Sequence, residues 1–125
     1  MGEAILVCDD EPAVLALLVA VLEQTGHRVI PAATFESARA AWRNQRSHIS
    51  LIICDYQLPD GSGLDLALQI LREAPDVPVI LASGLGGAEI GIPTCLQERI
   101  LFVEKPFTLN QILGCVEEAL SAALA

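Results

Sequence analysis

The chain has 125 residues, enough for one domain of ordinary size that folds without disulfides or a structural metal. Apolar residues make up 53% and charged residues 18%, which argues against a disordered chain, and no apolar run is long enough for a transmembrane helix. Sixteen acidic against seven basic residues give a net charge of -9, which disfavours nucleic acid and anionic membranes as direct partners. Because the first residues lack a signal peptide, we expect a cytoplasmic protein.

The first third of the chain alternates short apolar runs with helical patterns. Residues 5–8 (Ile-Leu-Val-Cys) predict a strand buried on both faces of a parallel sheet. Pro12 suits the first turn of a helix whose apolar residues repeat every three to four positions, and Gly26 ends that helix. A second strand is predicted at residues 28–31, and Thr34 is placed to cap the next helix.

The rest of the chain continues this alternation. Strands are predicted at residues 51–54, 77–82 and 100–103, and a polar turn at 59–63 leads from the third strand into a helix. The spacing of Thr108 and Gln111 is that of a capping box, which predicts the start of the last helix.

The order of these elements predicts an α/β fold, with helices on both faces of a parallel sheet. Residues 84–99 are rich in Gly and contain Pro93, so we expect the fourth helix to be short or irregular. Because no linker or repeat is present, residues 1–125 are expected to form a single domain.

Polar side chains follow four of the five predicted strands. Asp9 and Asp10 come after the first strand, Asp55 after the third, Ser83 after the fourth, and Lys105, the only lysine, just past the fifth. In an open parallel sheet, ligands bind beyond the carboxyl ends of the strands. We therefore expect these residues to meet at one edge of the sheet.

Three carboxylates at one edge repel each other unless a cation lies among them. Oxygen ligands without nearby His or Cys favour Mg²⁺. With Mg²⁺ and Lys105 balancing the charge, Asp55 can act as a nucleophile toward phosphorus. Ser83 and Lys105 would then contact the phosphoryl oxygens.

Each of these residues also has an ordinary interpretation. Asp9 and Asp10 could cap a helix, Asp55 could belong to a turn, Ser83 could begin a loop, and Lys105 could be a solvated charge. These interpretations do not predict all of the residues together, so the joint arrangement favours a site.

Four stretches carry a family resemblance: residues 5–12 with their acidic pair, residues 55–63 with Pro four and Gly eight positions after Asp55, Ala82-Ser83-Gly84, and Lys105-Pro106-Phe107. In these stretches and their spacing, the chain resembles the receiver domain of two-component response regulators over essentially its full length. The resemblance implies a flavodoxin-like, doubly wound sheet of five parallel strands in the order 2-1-3-4-5.

The resemblance also implies what the site does. Asp55 would take a phosphoryl group from the phosphohistidine of a histidine kinase or a histidine phosphotransfer domain. Mg²⁺ would be held by Asp10, Asp55 and the backbone carbonyl of Gln57, with Asp9 contributing directly or through water. The domain would not be an enzyme on other substrates; it would support only its own phosphotransfer and slow autodephosphorylation.

A conformational switch is implied in the same way. The hydroxyl of Ser83 would move toward the phosphate, Phe102 would turn inward, and Lys105 would couple the two. Gly84 matches a position that the family keeps small, which leaves room for the phosphodonor.

Two features depart from the usual family pattern. Gln97-Glu98-Arg99 stands where a Gly-Ala step is common, and the Gly-rich residues 84–93 replace a well-formed fourth helix. The surface that many response regulators use for output is therefore in question. The Gly-rich segment and residues 102–107 (Phe-Val-Glu-Lys-Pro-Phe) resemble receivers at the C-termini of hybrid histidine kinases, which favours such an origin over a free-standing regulator.

Other functions were weighed against this one. An aspartyl phosphatase would need an acid two residues after the nucleophile, where Gln57 stands. A nucleotide-binding module would need a phosphate-binding Gly-rich motif that the chain lacks. A receiver-like interaction domain that is not regulated by phosphorylation remains the main alternative.

Overall fold

The computed structural model describes residues 4–84, 91–92, 94 and 99–124, with side chains as far as Ser121. The predicted short or irregular fourth helix, and the departure at Gln97-Glu98-Arg99, lie largely outside the described residues and stay predictions. No helix in the described ranges combines the length and the apolar character needed to cross a bilayer.

Strands and helices alternate from residue 4 to residue 55, and a short hairpin follows. In order, the elements are β1 (Ala4–Cys8), α1 (Pro12–Gln24), β2 (Arg28–Ala32), α2 (Phe35–Gln45), a 3₁₀ turn (Arg46–His48), β3 (Ile49–Asp55), β4 (Gln57–Leu58), β5 (Gly61–Ser62), α3 (Gly63–Glu73), β6 (Val79–Ser83), β7 (Ile100–Glu104) and α4 (Leu109–Leu124).

Five strands form one parallel sheet in the order β2-β1-β3-β6-β7, and β4 and β5 form a separate antiparallel hairpin. Apart from that hairpin, this is the predicted order 2-1-3-4-5, so the prediction is confirmed. Cys8 lies opposite Cys54 in the pairing of β1 with β3, and Asp55 lies opposite Ala82 in the pairing of β3 with β6.

Alternate side chains of the strands pack on opposite faces of the sheet. Ile5, Val7 and Ile53 pack with buried residues of α1 and α4. Leu6 and Ile52 pack with buried residues of α2 and α3 on the other face. Because both faces are covered, the central strands are mostly apolar, which explains why short apolar runs predicted them.

The predicted helix ends are also confirmed. Pro12 is the first residue of α1, and Gly26 follows that helix with a φ of +90°, a left-handed conformation that glycine adopts without a steric penalty. The Thr34 side chain accepts a hydrogen bond from the backbone N–H of Ser37. Before α4, the N–H of Thr108 donates to Gln111 over 2.8 Å, and the N–H of Gln111 donates to the Thr108 hydroxyl over 3.1 Å.

Two local predictions were wrong. The fourth sheet strand begins at Val79 rather than Val77, and it includes Ser83 as its last residue. Pro78 precedes this strand because it has no N–H to donate, although its carbonyl accepts from Ile52. The hairpin of β4 and β5 lies where the sequence predicted a turn, since two-residue strands carry no detectable periodicity.

Candidate functional site

The carboxyl ends of three strands of the sheet, β1, β3 and β7, bring the site together. Asp9 directly follows β1, Asp55 ends β3, and Lys105 directly follows β7. The N–H of Asp9 donates to the carbonyl of Ala32 over 3.1 Å, and the N–H of Lys105 donates to the carbonyl of Ser83 over 2.7 Å. The backbone at these strand ends is therefore fixed by the sheet itself.

Lys105 contacts three carboxylates. Its Nζ lies 3.1 Å from Oδ2 of Asp9, 3.3 Å from Oδ2 of Asp55 and 3.7 Å from Oε1 of Glu11. The side chains of Asp9 and Asp55 are only 4% and 9% exposed, and that of Lys105 is 18% exposed. Two buried negative charges thus share one cation, which is the arrangement that buried charges require.

The ionisation of these groups reflects that crowding. Burial raises the pKa of Asp55 above its ordinary value, and the neighbouring Asp9 raises it further, while Lys105 opposes both effects. Burial alone would lower the pKa of Lys105, but Asp9 and Asp55 outweigh it and raise that pKa. The site therefore has more negative charge than its own lysine balances.

The acidic cluster fits a divalent cation. Asp9, Asp10 and Asp55 each offer a carboxylate oxygen, and these oxygens all lie within 4.8 Å of one another. Oxygen donors at such distances suit a hard cation such as Mg²⁺. Gln57, the other predicted ligand, is the first residue of β4 and lies two positions after Asp55.

A glycine is required where α3 begins. A Cβ atom at Gly63 would lie 2.1 Å from the backbone oxygen of Asp55, too close for any side chain. The N–H of Gly63 also donates to the carbonyl of Tyr56 over 2.7 Å. The absence of a side chain at Gly63 thus lets the start of α3 pack directly against the backbone of Asp55.

Asp60, for which the sequence predicts only a turn, is bonded to the start of α2. Its carboxylate accepts from the N–H of Phe35 over 2.7 Å and from the N–H of Glu36 over 3.0 Å. Both hydrogen bonds lower the pKa of Asp60, and the one from Glu36 has the larger effect. The Pro-Asp-Gly pattern reads as ordinary turn chemistry, and nothing local in the sequence identifies a partner 25 residues away.

The predicted switch residues lie along the neighbouring strands. Ser83 is buried at the end of β6, next to β3. Phe102 is half-buried in β7, opposite Leu81, and packs against the core on the side of α2 and α3. Gly84 is exposed, and a Cβ there would meet no atom of the described residues within 4 Å.

The model of the response regulator receiver domain family matches residues 5–117. The chain belongs to this family. The receiver domain is 32% identical over 120 residues to the nitrogen assimilation regulatory protein NtrX of Azorhizobium caulinodans, covering 96% of this chain and 26% of that protein. It is 29% identical over 123 residues to the response regulator protein TodT of Pseudomonas putida, covering 98% and 53%. The chain therefore spans a quarter to a half of these relatives.

Solved structures agree with this assignment. The receiver domain of NtrX from Brucella abortus is 31% identical with a TM-score of 0.81, and the match covers 94% of this receiver domain and 98% of that chain. A CheY-like receiver domain protein from Methanospirillum hungatei is 25% identical with a TM-score of 0.86, covering 98% and 97%. The predicted family and fold class are confirmed, while an origin in a hybrid kinase stays a prediction.

Proposed function

We propose that this receiver domain accepts a phosphoryl group on Asp55 from the phosphohistidine of a histidine kinase or a histidine phosphotransfer domain. One observation carries the proposal: the carboxylate of Asp55 lies 3.3 Å from the only lysine and within 4.8 Å of two further carboxylates. Such a cluster is costly for a purely structural role, because burial already raises the pKa of Asp55.

The transfer follows from the chemistry of these groups. An oxygen of Asp55 attacks phosphorus, an acyl phosphate bond forms, and the phosphorus–nitrogen bond breaks with its electron pair going to the imidazole. Lys105 lies beside the carboxylate of Asp55 and would balance the negative charge of the incoming phosphoryl group. Asp10, Asp55 and the carbonyl of Gln57 would hold Mg²⁺, with Asp9 assisting; when bound, Mg²⁺ neutralises phosphoryl oxygens.

Phosphorylation is expected to be read out through the adjoining strands. Ser83 ends β6, the strand next to β3 and Asp55, and we expect its hydroxyl to donate to a phosphoryl oxygen. Phe102 lies in β7, the strand that pairs with β6, three residues before Lys105. Its ring would turn inward as Ser83 moves. The domain acts in the cytoplasm as a switch and not as an enzyme on other substrates.

Intact-mass measurement tests the proposal. Incubation with acetyl phosphate and Mg²⁺ should add the mass of one phosphoryl group to the wild-type chain and nothing to Asp55→Asn. The variant Asp65→Asn, which changes an exposed acid in the first turn of α3, is the matched control and should be modified like wild type. An adduct that persists in Asp55→Asn would overturn the assignment to Asp55, and no adduct in wild type would support an interaction domain that phosphate does not regulate.

A further inference from the structure

A cleft between α2 and α3 takes no part in the proposed phosphotransfer. It has a volume of about 420 Å³, which lies within the range of small-molecule sites. Trp42, Ile70 and Glu73 contribute to its lining, and three arginines lie around it: Arg39, Arg43 and Arg72.

This cleft is rich in positive charge, whereas the chain as a whole is negatively charged. Three of the seven basic residues line it, although the net charge is -9. Arg43 and Arg72 are exposed, and neither forms an ion pair or a side-chain hydrogen bond within the part of the chain that the structure describes. The cleft therefore presents two guanidinium groups that no carboxylate of the described residues neutralises.

A buried donor adds a second observation. Nε of Arg39 is buried and has no hydrogen-bond partner among the described atoms; the nearest acid, Glu36, places Oε1 at 3.9 Å. Buried polar groups in folded proteins are nearly always paired, either with protein or with ordered water. Since the Arg39 side chain is 39% exposed and lines the cleft, an acceptor oxygen bound there would supply a partner for this Nε.

The acid inside the cleft does not fill this role. Oε2 of Glu73 accepts a hydrogen bond from Nε1 of Trp42 over 2.9 Å, and its Oε1 lies 3.5 Å from Nη1 of Arg46. Glu73 is thus engaged by groups other than the three arginines, which leaves the cleft with an excess of positive charge.

We propose that this cleft binds a phosphate monoester dianion. Guanidinium groups match phosphate and carboxylate oxygens equally well in geometry, but Arg43 and Arg72, together with Nε of Arg39, offer enough donors for the three acceptor oxygens of a phosphate, whereas a carboxylate has only two. An extended polyanion would meet the repulsion of the whole domain. A small dianion responds mainly to nearby arginines, because charges beyond about 8 Å are screened at physiological salt.

The single tryptophan of the chain makes the test specific. Wild-type protein without Mg²⁺ is titrated with glycerol phosphate, which is a poor phosphodonor, while the NMR resonance of the Trp42 indole N–H is followed. A saturable shift is expected, absent from a sodium chloride titration of equal ionic strength. The same shift in Asp55→Asn would show that the binding is independent of the phosphoacceptor site.

Arginine variants locate the binding. Arg43→Gln and Arg72→Gln should each weaken it about tenfold, as expected for the loss of a charge-assisted hydrogen bond. Both side chains are exposed, so folding should be unaffected, and the amide spectrum checks this. Arg28→Gln is the matched control: it removes the same charge outside the cleft, where the Arg28 side chain donates to Gln45 over 3.4 Å, and should bind like wild type.

Two further ligands identify the source of the phosphate. A phosphoserine tripeptide that binds more tightly than glycerol phosphate would indicate a phosphorylated protein partner, and equal binding a free metabolite; both support the proposal. Four results would overturn the proposal. Two concern the ligand: succinate binds as tightly as glycerol phosphate, or chloride reproduces the shift. Two concern the variants: the shift is lost in Asp55→Asn, or binding is unchanged in both arginine variants.

Discussion

Asp55 is buried beside another carboxylate, and this makes its charge unfavourable in the folded state. Its pKa in the folded protein lies above the ordinary value of 3.8, so ionisation of Asp55 favours unfolding. As the proposed phosphoacceptor, Asp55 would gain more from a bound cation than an exposed carboxylate would, so its expected reactivity depends on its burial.

We therefore expect Asp55→Asn to raise the free energy of unfolding at neutral pH in the absence of metal. Because the pKa of Asp55 is raised in the folded protein, Asp55 does not lower the free energy of unfolding of the wild type below pH 3.8. The difference from Asp55→Asn appears as the pH rises through the folded pKa. Urea unfolding in EDTA across this range measures it, with Asp76→Asn, an acid outside the site, as the control. A stabilisation that grows toward acid pH would contradict the expectation.

Lys105 is the only cation in contact with Asp9 and Asp55 among the described residues. Lys105→Ala leaves two buried carboxylates unpaired, and we expect a loss of about 1–3 kcal/mol in metal-free buffer. Phosphorylation should then no longer shift the NMR resonances around Phe102. Arg28→Ala, which removes a distant positive charge, is the control. Phosphate-induced shifts around Phe102 that match those of wild type would refute the coupling role.

At the scale of elements, the β4–β5 hairpin connects the site to α2. The hairpin contains Gln57, a proposed metal ligand, and its turn contains Asp60, which accepts from two N–H groups at the start of α2. A Cβ at Gly61 would lie 2.7 Å from a ring carbon of Phe35, so the turn also packs closely on that helix. The position of Gln57 therefore depends on α2.

Asp60→Ala should lower stability at neutral pH and weaken Mg²⁺ binding. The pKa of Asp60 is lowered in the folded protein, so its contribution is present above the ordinary value of 3.8 and is lost as the pH falls through the folded pKa. Thermal unfolding and Mg²⁺ titration at several pH values measure both effects. Asp76→Ala serves as the control, and a stability difference that persists at low pH would exclude this mechanism.

The sheet strands could be predicted from sequence because residues buried on both faces leave unbroken apolar runs, as at Ile52 and Ile53. The residues of the site could be placed because parallel strands end at one edge, as Asp9 and Asp55 do. What could not be predicted depends on contacts between distant segments. The bond of Asp60 to α2 and the approach of Glu11 to Lys105 leave no pattern in the neighbouring residues.

For the whole molecule, the net charge of -9 makes cation binding and stability interdependent. A ligand that binds only the folded state stabilises it by about 2.7 kcal/mol at 100 times its dissociation constant. Mg²⁺ should therefore raise the melting temperature by several degrees, beyond the effect of sodium chloride at equal ionic strength.

Asp10→Asn should remove most of this gain. Asp10 is exposed, and its carboxylate belongs to the acidic cluster, so the substitution changes the metal site while leaving the core intact. Differential scanning calorimetry with and without Mg²⁺ measures the effect, and Glu23→Gln, an exposed acid in α1, is the control. An equal Mg²⁺ response in wild type and Asp10→Asn would show that the cation acts elsewhere.

Cys8 and Cys54 lie opposite each other in adjacent strands, and each directly precedes an acid of the site. Neighbouring strands are spaced about 4.8 Å apart by their hydrogen bonds. The spacing of β1 and β3 inside the sheet thus sets the distance between Asp9 and Asp55. Substitutions on the surface do not change this spacing. The outer faces of the helices can therefore diversify, acquiring different partners, while the distance between the two acids stays constant.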